Sequence, residues 1–320
     1  MGSTYKITTQ IDGIETEYTD RPNIEKYCSQ ENERKHHLTE NGNSQLLQKE
    51  FIADLGLHGE GPAVGAVLDG TYIPPITATP ATADFLTTCV AHPDAKDLAT
   101  LPDVATRFKR QLSSWQKRKE KTSTYNEHIA HYKSIFRDKY ISWFFFQRAD
   151  IPETTGYAPS RHKRCIDLMI MKKPGCFMVN KQRTLGILDT EFNQNNKRIG
   201  RDGMNNAIHL DKIAKEQFAI KDCSAPEQIV SKRCVIDHSR FKRSILGLTS
   251  SDLEACYDRI IHTAAALALL RVGISHTKIN SMFAVIQNMI HKVRTLFGDS
   301  VITYGGDELQ DWRNKPQDVL

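Results

Sequence analysis

The stretch "RCIDLMIMKKPGCFMVNKQRTLGIL" places two strongly apolar runs on either side of Pro174 and Gly175. Proline presets its own φ and glycine accepts a left-handed backbone, so the chain reverses there at little cost. The two runs are therefore expected to form two strands joined by a turn. A second hairpin is expected in "VRTLFGDSVITYGG", around Gly298 and Asp299. Between the hairpins, "EACYDRIIHTAAALALLRVG" is Ala/Leu-rich and expected to be helical up to Gly273. Ile279, Met282, Phe283, Ile286, Met289, Ile290 and Val293 then recur mostly at three- and four-residue intervals, the spacing of another helix. Residues 245–248 are expected to add a buried strand. Strand, helices and hairpins together predict an α+β fold rather than an all-helical solenoid or a doubly wound nucleotide domain. The common glycine-rich phosphate loops are missing from the sequence, which argues against an ordinary ATPase or dinucleotide enzyme.

The N-terminal part is less patterned. Residues 1–99 are expected to be an accessory region, helical in places and partly flexible, with the polar run "ENERKHHLTEN" as tail or adaptable surface. Leu47, Phe51 and Leu55 predict a short helix closed by Gly56. Residues 59–82, rich in Gly, Pro, Ala and Thr, predict a linker, because prolines remove backbone donors. Connecting helices and a further region are expected over 100–244. There Pro102 is placed in the first turn of a helix whose apolar stripe is Val104, Phe108, Leu112 and Trp115. The aromatic run ending at Phe146 is expected to be core.

Charge is unevenly placed. The chain has 43 Lys and Arg against 38 Asp and Glu, yet residues 1–100 hold 7 basic and 15 acidic side chains. The excess of positive charge in the remainder favours a phosphate-rich partner. Arg107, Lys109, Arg110, Lys117, Arg118 and Lys119 lie on the basic face of the helix starting near Pro102. Lys172 and Lys173 are brought toward Lys181 and Arg183 by the Pro-Gly turn. Ordinary solvated surface is the competing reading of both groups. The seven cysteines are scattered and odd in number, which fits a reducing intracellular compartment, cytoplasmic or nuclear, better than a disulfide framework. His128 and His131 lack a companion Cys or His pair, so no zinc site is predicted. No apolar run reaches membrane-spanning length.

Several motifs, in order, carry a family resemblance: "HIAHYK", "RCIDLMIMKKPGCFMVNKQRTLGILDTEFNQNNK", "GRDGMNNA", "APEQ", "SDLEACYDRIIH" and "VRTLFGDSVITYGG". Together they resemble a divergent branch of the reverse transcriptases encoded by non-long-terminal-repeat retroelements, from about Trp115 onward. The resemblance implies partial fingers within 100–244 and a partial palm over 245–320. It implies that Asp252 is the metal-binding catalytic carboxylate, holding Mg²⁺ beside the nucleotide phosphates. Tyr257 matches the aromatic residue beneath the incoming sugar, Asp258 a helix-start position, and Arg183 the arginine that clamps the triphosphate, with Lys181 nearby. An RNA template, a DNA primer and deoxynucleotides are the implied partners.

Two departures qualify that activity. Two-metal chemistry needs further acid ligands, and the family's later Asp-Asp motif is not found up to "NKPQDVL", where Asp318 stands at a position expected to be glycine. The connection between "APEQIVSKR" and Asp252 is also short, and no thumb is visible. The expectation is a truncated reverse-transcriptase domain, inactive alone. The alternative is a non-catalytic remnant that binds nucleic acid.

Overall fold

The computed structural model describes residues 4–11, 13–36, 44–117, 128–214, 224–247 and 260–305. It begins with a small antiparallel hairpin, β1 (Ile7–Ile11) and β2 (Ile14–Tyr18), followed by α1 (Arg21–His36). Short helices come next: α2 (Lys49–Leu55), α3 (Val64–Asp69), α4 (Pro80–Thr88) and α5 (Ala95–Leu98). Three helices then lead to the main sheet, α6 (Val104–Gln116), α7 (Ile129–Ile135) and α8 (Lys139–Thr155). Strands β3 (Arg164–Met171) and β4 (Gln182–Leu188) are followed by α9 (Thr190–His209), α10 (Ala225–Lys242), α11 (His262–Leu270) and α12 (His276–Ile286). A final hairpin, β5 (Ile290–Thr295) and β6 (Gly298–Gly305), completes the described elements. The fold is a mixed α+β arrangement with two small sheets.

The larger sheet has the order β4-β3-β5-β6. β3 and β5 pair in parallel, whereas β3 with β4 and β5 with β6 are antiparallel. Parallel neighbours need a long crossover, and the helices from α9 to α12 lie in that connection. Both expected hairpins are therefore present. One sheet face packs Met169, Val293 and Tyr304 against Ile24 and Cys28 of α1. The other face leaves Ile170, Arg183, Leu185 and Lys292 exposed.

Local signals explain many boundaries. Asp103 accepts a hydrogen bond from the Thr106 amide at 3.0 Å, so the cap of α6 follows Pro102, which lies outside the helix. Asp138 caps α8, and Gly156 closes it with φ of 76°. Gly56 closes α2 as expected, although Leu47 belongs to a preceding turn of 3-10 helix.

Several expectations need correction. Residues 59–82 are not a bare linker: Val64 and Val67 of α3 are 1 % exposed and join the largest core. That core combines Phe51, Leu55 and Leu86 with Ile199, Leu267, Ile279 and Phe283. Burial of each such side chain contributes about 1.5–3 kcal/mol toward ordering the segment. Residues 245–247 form no strand, and Ile245 is fully exposed. The helix expected up to Gly273 spans His262–Leu270 among the described residues. The aromatic run also splits. Phe146 is buried, while Tyr140, Trp143 and Phe144 are exposed because a single helical run of neighbours cannot turn every ring inward.

Candidate nucleic-acid interface

The β3–β4 register pairs Ile170 with Arg183 and Met171 with Gln182. Lys172 and Lys173 immediately follow the last paired residue of β3, and Lys181 immediately precedes β4. All four cations thus occupy one end of the hairpin. Their side chains are exposed, and among the described residues none makes an ion pair. Gly175 has φ of 79°, a conformation glycine adopts without a Cβ penalty, and lies within the connecting loop. β4 is an edge strand, so the approach to Arg183 is open on one side. Arg183 also shares its sheet face with exposed Lys292. Its guanidinium offers directional donors to phosphate, while the lysines act as point charges.

The α6 cations divide differently. Arg107 donates from Nε and one terminal nitrogen to the two Asp150 oxygens at 3.0 and 2.7 Å, and also to the Pro102 carbonyl. Hydrogen bonding to Asp150 raises its affinity for the proton further. Arg107 is therefore spent on joining α6 to α8 and does not face a ligand. Lys109, Arg110 and Lys117 are exposed. Arg110 lines a cleft with Arg201, Asp202 and Lys278, in which Lys278 lies 3.3 Å from Asp202. Arg118, Lys119, Asp252, Tyr257 and Asp258 lie outside the described residues.

At the end of the β3–β4 ladder away from the turn is an ionic layer that the sequence reading missed. Asp189 caps α9 by accepting from the Glu191 and Phe192 amides at 2.8 and 3.1 Å. Arg161 approaches Asp189 and Glu191 at 3.4 and 3.1 Å, and Arg148 pairs with Glu191. Burial would push the Glu191 carboxyl up, but His162 at 3.8 Å and the charges of Arg161 and Arg148 hold it below its usual range. Deeper along α9, Arg198 pairs with Glu153 of α8 and reaches Gln111 at 3.4 Å. Burial pushes the Arg198 guanidinium down to about 10. The available sequence signal was Asp189 before a run of helix-forming residues, a capping pattern; its distant arginine partners left no local mark.

Asp252, the ligand implied for Mg²⁺, lies outside the described residues. Asp189 and Glu191 are engaged with arginines, and the group able to hold a metal contains Cys165, Asp167 and His291. Mg²⁺ prefers an oxygen shell, so sulfur and imidazole do not suit it. No family model matches the chain, and no curated protein matches it. No helix among the described residues is long and apolar enough to cross a membrane.

Proposed function

We propose that this chain is a reverse-transcriptase-related domain whose β3–β4 hairpin holds the phosphates of an RNA template, a DNA primer or a deoxynucleotide. The observation that carries this reading is the grouping of Lys172, Lys173, Lys181 and Arg183 at one exposed hairpin end without carboxylate partners among the described residues. Arg148, Arg161 and Arg198 are paired with buried carboxylates, whereas these cations retain their capacity for an external anion. The motif resemblance assigns Arg183 to the triphosphate and Asp252 to the metal. For these 320 residues the proposed activity is binding, because one assigned metal carboxylate is insufficient for two-metal transfer. Autonomous RNA-directed DNA synthesis is not proposed for them.

The test compares single-stranded RNA binding by the full chain and by a Lys172→Ala, Lys173→Ala, Arg183→Ala variant over a range of salt. Loss of three phosphate contacts should weaken affinity at low salt and reduce the logarithmic salt slope by about 2. Equal affinities and slopes in two folded proteins would remove the hairpin from the interface. Absence of RNA binding by the unaltered chain would reject the nucleic-acid reading itself.

A further inference from the structure

A different group of residues meets inside the larger sheet. Cys165 and Asp167 are two apart on β3 and leave it on the same face. β5 runs parallel beside β3 with His291 opposite Cys165, and β6 returns with Tyr304 opposite His291. Three strands therefore deliver a thiol, a carboxylate, an imidazole and a phenol to one place. Cys165 Sγ lies 3.4 Å from Asp167 Oδ1, and His291 Nδ1 lies 2.9 Å from Asp167 Oδ2. Tyr304 also donates to Asp167 Oδ2. One ligand atom from each of Cys165, Asp167 and His291 lies within 4.8 Å of the others.

The neighbouring edge strand packs closely over this group. Gly186 is opposite Asp167 in the β3–β4 register and is exposed. A Cβ at Gly186 would stand 3.0 Å from Cys165 Sγ and 3.5 Å from Asp167 Oδ1. Its φ is not in the left-handed region, so backbone conformation does not account for glycine here. Close packing of Cys165 Sγ beneath β4 instead accounts for it, so a side chain at this position would press on the sulfur.

We propose that Cys165, Asp167 and His291 form a Zn²⁺ site, with solvent at a fourth position. Tetrahedral zinc bonds of about 2.0–2.3 Å place neighbouring ligand atoms roughly 3.2–3.7 Å apart. Cys165 Sγ stands 3.4 Å from Oδ1 and His291 Nδ1 2.9 Å from Oδ2 of the same carboxylate, so a modest turn of Asp167 brings one oxygen to ligand distance from both. Mixed sulfur, nitrogen and oxygen donors suit zinc better than Mg²⁺ or Ca²⁺. Charge also balances: Cys165 thiolate and Asp167 carboxylate together neutralise the dication, and His291 binds as neutral imidazole.

Without metal, Asp167 accepts from the thiol, the imidazole and Tyr304. Zinc entry releases the Cys165 proton to solvent. The His291 proton moves from Nδ1 to Nε2, freeing Nδ1 as a ligand. Tyr304 continues to donate to Asp167 and orients its carboxylate toward the ion. This site is independent of the nucleic-acid reading, since it faces inward beside α1 whereas Arg183 lies on the opposite sheet face.

The experiment titrates the metal-stripped full chain with Co²⁺ and then Zn²⁺. One Co²⁺ per chain should produce the visible bands of tetrahedral cobalt and a near-ultraviolet sulfur-to-cobalt charge-transfer band, both removed by one equivalent of Zn²⁺. Cys165→Ser should abolish the charge-transfer band, and Gly186→Ala should weaken Co²⁺ binding at least about tenfold by pressing on the Cys165 sulfur. Cys234→Ser, which alters an exposed thiol, should leave the spectrum unchanged. No sulfur-to-cobalt band, or one that survives Cys165→Ser, would overturn the site and leave a metal-free hydrogen-bonded cluster. Should Cys165→Ser fail to fold, unchanged binding in folded Gly186→Ala would overturn it as well.

Discussion

The α8–α9 layer and the β3–β4 hairpin end both concentrate cations, but they dispose of the charge in opposite ways. Arg148, Arg161 and Arg198 are met by Glu191, Asp189 and Glu153, carboxylates that are nearly sealed from solvent. Lys172, Lys173, Lys181 and Arg183 remain solvated and unpaired among the described residues. A buried charge without its counterion is costly, so the interior requires pairing; an exposed lysine is already stabilised by water and requires none. Cationic residues thus serve cohesion in one region and remain available to an external anion in the other.

Breaking the deepest pair tests this contrast most severely. Arg198→Ala leaves Glu153 buried without its counterion and should lower stability by about 3–5 kcal/mol, measured by denaturant unfolding. A double replacement, Arg198→Met with Glu153→Leu, should recover much of the loss; no recovery would mean that Arg198 acts through other contacts such as Gln111. Glu191→Gln should cost less, about 1–3 kcal/mol at neutral pH, because Arg148 and Arg161 retain access to solvent.

The same variant sharpens the comparison through pH. Glu191 has a folded-state pKa below its unfolded value of 4.5, so its contribution is complete above that value and disappears as pH falls through the lowered one. Unfolding measurements across this acid range should show a shallower loss of stability in Glu191→Gln than in the unaltered protein. Parallel pH profiles would remove the proposed charge stabilisation. The smallest stability effect is expected at the hairpin end: combined Lys172→Ala, Lys173→Ala and Arg183→Ala should change unfolding free energy by less than about 0.5 kcal/mol. A larger loss would show that these cations support the fold and would erase the distinction between the regions.

Much of the secondary structure was legible because its causes are local. The Pro174–Gly175 reversal, the apolar runs beside it and the hairpin around Gly298 all mark features within a few residues. Helix α6 was likewise visible in the spacing of Val104, Phe108, Leu112 and Trp115, although Val104 is exposed. Local composition misled at residues 59–82, where Val64 and Val67 gain a core from elements far along the chain. It also misplaced Tyr140, Trp143 and Phe144, since aromatic character does not say which helix face will find a neighbour.

The candidate sites divide along the same line. Sequence alone placed the cations of the hairpin at its turn, whereas Asp252 and Tyr257, assigned through the resemblance, lie outside the described residues. It did not distinguish Arg107, held by Asp150, from the exposed Lys109 and Arg110 on the same helix. Nor did it associate Asp167 with His291, 124 residues away. Strand tendency and turn chemistry were determined by covalent neighbours along the chain. Ion pairing and the Cys165, Asp167 and His291 cluster were decided only when β3 paired with β5 and α8 packed against α9, because short-range electrostatic and hydrogen-bonding interactions depend on distance in space.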